Sequence, residues 1–166
     1  MKYLNILFML LLSFFIVGCA SKITDASTKA TSKLNIEVTN FAEERSITNT
    51  ENVYLTLKNT DESWGGEQLI KSNQPKYSFT IPAKEELNFT LNLMQGGGGF
   101  SAACGAALKL TTKENSNLTA KFNFIREKDS VKVVGCTLDI YSGNKLLNSY
   151  KGSSNITLYK VKFLYL

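Results

Sequence analysis

Histidine is absent from the 166 residues, which removes the usual general base, every His-based triad or dyad and the commonest metal ligand. Much of enzymology goes with it. The longest apolar run, Ile6 to Val17, has twelve residues and one interruption at Ser13, short of the roughly 20 that a helix needs to cross a bilayer. Proline occurs twice, no amphipathic helix longer than two turns can be drawn, and no internal repeat is evident. Charge is equally sparing: the net value is +5 with no long basic run, so the excess reads as solubility rather than nucleic-acid binding. Attraction to anionic lipid headgroups or cell-wall polymers stands between those two.

What is present begins with an address. Lys2, the apolar run and Gly18 before Cys19 have the basic, apolar and small-residue regions of an export signal. Ile16, Val17, Gly18 and Cys19 resemble the bacterial lipobox. The resemblance implies that residues 1–18 are removed and that Cys19 is diacylated, becomes the mature N-terminus and is usually acylated again, by palmitate or a similar chain. In lipoproteins of this kind, aspartate after the cysteine commonly retains the protein in the inner membrane. In a cell with two membranes, Ala20 therefore implies the outer membrane, with the protein facing the periplasm.

Residues 19–166 number 148 and lose only the charge of Lys2, for a net +4. That is the usual size of one domain. Ala20 to Lys33 is rich in Ser, Thr, Ala and Lys with Ile23 as its one large apolar residue, so residues 19–33 read as a lipidated, flexible tether with a reach of roughly 20 Å. A single domain is expected over 34–166.

From Leu34 the pattern has period two, the mark of half-buried strands. Leu34, Ile36 and Val38 form one such face, as do Val53, Leu55 and Leu57. Tyr77, Phe79 and Ile81 follow, then Leu87, Phe89, Leu91 and Leu93, a short stretch at Leu108 and Leu110, and Leu118, Ala120, Phe122 and Phe124. Val131 and Val133 are odd-numbered while Cys136, Leu138 and Ile140 are even, which predicts a bulge near Val134 and Gly135. The last run, Ile156 to Tyr165, also changes parity. Seven to nine short strands point to an all-β chain, an antiparallel β-sandwich, with a small β-barrel as the alternative.

Three cysteines remain to be placed. With Cys19 lipidated, Cys104 and Cys136 are left as a pair in an oxidising compartment, where they form a disulfide. No cofactor or metal is expected.

Few residues carry recognisable chemistry. Gly96, Gly97, Gly98 and Gly99 lack the Gly-Lys-Ser/Thr ending of a phosphate-binding loop. They form either a linker pinned by Cys104 or a binding loop whose anchor is Phe100. Ser142 and Lys145 have the spacing of a serine nucleophile and its basic partner, but the companion motifs are missing and Gly143-Asn144 suits a hairpin turn. The carboxylates Glu43-Glu44, Asp61-Glu62 and Glu85-Glu86 are adjacent pairs, which strands send to opposite faces. Trp64 plugs the sandwich edge or anchors a binding surface.

These residues add up to a non-enzymatic, membrane-anchored module that binds or assembles with an envelope protein or polymer. Its size, lipobox and strand pattern are similar to small β-sandwich lipoproteins that accompany secretion machines or pili. The alternative is a small-ligand carrier or inhibitor with a cavity between the sheets.

Overall fold

Alternation from Leu34 to Ile140 becomes strand, except at exposed Val131, in a computed structural model that describes residues 21–42, 50–97 and 100–153, with backbone alone at 97, 100, 153, 157–158 and 163–165. Ile156 and Val161 of the expected last strand lie outside the described residues. β1 (Thr31–Thr39), β2 (Thr50–Asn59) and β3 (Gly65–Ile70) are followed by β4 (Lys76–Pro82), β5 (Glu86–Gly97) and β6 (Phe100–Thr111). β7 (Asn117–Arg126), β8 (Val133–Ser142) and β9 (Lys145–Ser153) complete the main set, and β10 (Thr157–Leu158) and β11 (Phe163–Tyr165) are short additions.

Two sheets face each other. One has the order β4-β1-β7-β8-β9, the other β6-β5-β2-β3, with β10 and β11 pairing in parallel along β6. The inner faces meet in one core in which Leu34, Ile36, Leu55, Leu57, Leu91, Phe89, Phe122 and Phe124 are fully buried. Each such side chain contributes roughly 1.5–3 kcal/mol of burial free energy. Phe124 also makes edge-to-face contacts with Phe122 and Phe41, at centroid distances of 5.6 and 5.2 Å. The sheets stay separate as hydrogen-bonded units, so the fold is a sandwich rather than a closed barrel.

Within the sandwich, β1 and β7 run parallel, pairing Leu34 with Leu118 and Ile36 with Ala120. A period of two tells which face a residue takes and is silent on which way its neighbour runs. β6 is far longer than the Leu108–Leu110 stretch, because Ala102, Cys104 and Ala106 continue its inward parity without announcing themselves by hydropathy. The expected bulge is present: Ile125 pairs with Gly135 and Arg126 with Val133, leaving Val134 as the extra residue.

Each open side of the sandwich is closed. On the side of β6 and β9, the disulfide from Cys104 of β6 to Cys136 of β8 ties one sheet to the other, and β10 and β11 pair along the β6 edge. Between β3 and β4 the closure is residues 21–30, which corrects the flexible tether expected there. Glu67 N donates to Ser21 O at 2.8 Å, Ala26 N to Thr80 O at 2.9 Å, Thr80 N to the Asp25 carboxylate at 2.7 Å and Ala83 N to Ala30 O at 3.0 Å. Ile23 is 4% exposed and joins the core. A polar composition signals little drive to fold alone, but two unpaired sheet edges offer backbone partners and a gap that one isoleucine fills.

Candidate functional site

β2 fixes the distance between the candidate residues. Its nine steps from Thr50 to Asn59 span roughly 30 Å at the usual rise of a strand. Gly96 pairs with Thr50 at one end, while Asn59 pairs with Leu87 at the other. Trp64 lies just beyond Asn59, so it and the glycine run occupy opposite ends of the sandwich. They do not form one site.

At the Trp64 end the residues serve structure. Trp64 N donates to the Asn59 side chain at 2.8 Å, and the half-buried indole donates to Thr24 O at 3.2 Å, clamping residues 21–30. The Asp61 carboxylate accepts from Ser63 N at 3.0 Å; the backbone and side-chain hydrogen bonds of Ser63 hold its pKa below the ordinary carboxylate value. Ser142 and Lys145 face each other as the last pair of β8 and β9. Gly143 between them has φ +56°, as the turn of a tight hairpin requires, and the S-x-x-K spacing needs no catalytic explanation. Glu86 pairs with Lys109 at 2.6 Å and Glu62 with Lys58 at 3.8 Å. Cys19, Glu43, Glu44, Gly98 and Gly99 lie outside the described residues.

At the other end, Gly96 pairs with Ser101 and Gly97 with Phe100. Gly96 and Gly97 therefore belong to β5, and the two twelve-residue strands β5 and β6 pair as a hairpin up to Gly97 and Phe100. Beneath this end of the hairpin lies a polar cluster. Arg126, the last residue of β7, holds the Glu51 carboxylate of β2 with two guanidinium nitrogens at 2.8 and 3.0 Å. Glu51 also accepts from Ala42 N at 2.9 Å and from the Gln95 side-chain amide of β5 at 2.8 Å. Gln95 in turn accepts from Val133 N at 2.9 Å and donates to Val131 O at 2.8 Å. Arg126 further donates to Asn40 O and Val131 O.

The Arg126 and Glu51 side chains are 15% and 7% exposed, and Gln95 is 3% exposed. Guanidinium and carboxylate are matched two to two, the strongest common form of ion pair. Such a group is unsuited to moving protons or attacking a substrate. It positions: the chain after β1, the β7–β8 hairpin and the β5–β6 hairpin are all tied to it. Met94 and Val131, 59% and 45% exposed, stand on this end as apolar contact points.

Sequence reasoning missed this cluster, although a signal existed. Glu51 continues the inward parity of Val53 and Leu55, Gln95 that of Leu91 and Leu93, and Arg126 that of Phe122 and Phe124. Three polar residues at inward positions on strand ends mark a buried network.

A groove of about 150 Å³ runs beside the disulfide between β6 and β9, lined by Gly105, Ala106, Asn148, Tyr150 and Gly152. Burial raises the Tyr150 phenol above its ordinary pKa, partly offset by a hydrogen bond from Asn148. On the outer face of the five-stranded sheet, Glu37 lies between Lys76 at 3.1 Å and Lys121 at 3.8 Å. Lys121 sits over the Tyr141 ring at 5.1 Å, so these charges satisfy one another.

No protein-family model, curated protein or solved structure matches this chain. Fold alone does not assign function.

Proposed function

We propose that the protein is a lipid-anchored, non-enzymatic binding module of the cell envelope, held at the outer membrane, whose partner-facing surface is the end bearing the β5–β6 hairpin. The observation that carries the reading is the fate of the cysteines. Of three, Cys104 and Cys136 are joined in the core. Cys19 is left, one glycine beyond the apolar run, where the lipobox resemblance puts the acylated residue. A buried disulfide also suits an exported chain.

Binding rather than catalysis is favoured by the absence of histidine and by a charged cluster whose groups are consumed in holding loops together. The ligand-carrier alternative finds less support. The groove beside the disulfide, at about 150 Å³, falls below the roughly 300–1,000 Å³ of ordinary ligand sites. A protein or envelope polymer of extended surface suits the hairpin end better.

A photocrosslinker placed at Ser101 in intact cells tests this surface. It is expected to capture a discrete envelope protein or polymer, whereas one at Ser63, at the opposite end, captures no such partner. Equal capture from both positions, or none from Ser101, contradicts the assignment.

A further inference from the structure

The chain that was expected to hold the domain off the membrane is part of the domain. Ser21 accepts from Glu67 N, and Lys22 bridges in parallel to Glu67 on the β3 edge. The fit there is close: a Cβ on Gly66 would lie 2.1 Å from Ser21 O, so only glycine lets the strap pass. Ile23 then enters the core and Thr24 takes the Trp64 indole. Only Ala20 separates this docked segment from Cys19.

We infer that the domain is seated directly on the bilayer headgroups by its β2–β3 corner, with the β5–β6 hairpin end turned away from the lipid. The inference rests on the lipid-anchor reading of Cys19. Two residues of extended chain reach about 7 Å, against the roughly 20 Å of a free tether of the expected length. Because the strap is parallel to β3, the chain arrives at Ser21 from the end where β3 begins, which is the Trp64 end. An acylated Cys19 therefore draws that end to the surface. The exposed residues of the β2–β3 turn are Thr60, Asp61, Glu62 and Ser63, polar groups that rest among headgroups rather than among acyl chains. Glu67 is level with Thr56, and the six strand steps from there to Thr50 carry the hairpin end roughly 20 Å further out.

Trp64 is the only tryptophan and reports on this seating directly. Mature acylated protein is reconstituted into phosphatidylethanolamine/phosphatidylglycerol vesicles with and without nitroxide-headgroup lipid. Sedimentation and Trp64 emission are then measured on the same sample. Seating predicts severalfold quenching of Trp64. A second tryptophan added by Ser101→Trp, with Trp64 kept, should lower the quenched fraction to about half. Ten Gly/Ser residues inserted between Ala20 and Ser21 leave the sandwich untouched and extend the reach to roughly 17 Å. That variant should still sediment and should lose most of the quenching, as should Gly66→Val, which displaces the strap. Vesicle-bound protein with unquenched Trp64, or with quenching indifferent to the insertion, overturns the seating and leaves the anchor standing. Protein that fails to sediment overturns both.

Discussion

Replacing Glu51 with alanine lowers the free energy of unfolding by about 3–5 kcal/mol, the usual loss when one partner of a buried ion pair is removed. The Arg126 side chain is 15% exposed, so some water reaches the stranded guanidinium and the lower part of that range is expected. Arg126, the Gln95 amide and Ala42 N all lose the Glu51 carboxylate, and Arg126 keeps only the neutral acceptors Asn40 O and Val131 O. Arg126→Ala leaves the better-buried Glu51 carboxylate with two weaker donors and costs a similar amount. In a double-mutant cycle the two changes are strongly non-additive, with a coupling of roughly 0.5–3 kcal/mol. Urea unfolding followed by Trp64 emission supplies all three values. A loss below about 1 kcal/mol for either single change would place the pair among ordinary surface salt bridges and remove the cluster as the device that holds the hairpin end.

Opening the disulfide has an effect of similar size through a different cause. Cys104 and Cys136 are separated by 32 positions, and the chain-entropy relation gives roughly 3–4 kcal/mol for closing a loop of that length in the unfolded state. Domains of this size have about 5–15 kcal/mol in total. The double change Cys104→Ala with Cys136→Ala therefore shifts the urea midpoint strongly downward. Serine in place of alanine costs more, since both positions are buried and each hydroxyl would need a partner. Equal midpoints for oxidised and alanine forms would show that the bond contributes nothing to stability.

Most of the architecture was legible in the sequence because burial in a sandwich is written as parity. The faces from Leu34 to Val38 and from Leu87 to Leu93 needed nothing else, and the odd-to-even switch before Cys136 located the Val134 bulge. Two kinds of information were not local. The parallel course of β7 beside β1 and the full length of β6 depend on which strand lies next door, and small residues such as Ala102 and Ala106 leave no hydropathic trace. Docking of residues 21–30 depends on the gap between β3 and β4, visible only once both edges are placed.

The site divides in the same way. Disulfide pairing followed from compartment and count, and the glycine run was conspicuous without revealing that Gly96 and Gly97 belong to a strand paired with β6. Trp64 was read as an edge plug or a surface anchor; its indole contact with Thr24 supports the plug. The Arg126, Glu51 and Gln95 cluster is built from three distant strands. Parity could flag its members but not join them.

The most direct test of the account is the mass of the N-terminal peptide from protein extracted from bacterial membranes with detergent. Lipid anchoring predicts a peptide that begins at Cys19 and carries two or three acyl chains through a diacylglyceryl thioether. A peptide that retains residues 1–18, or one that begins elsewhere with a free Cys19 thiol, would contradict it.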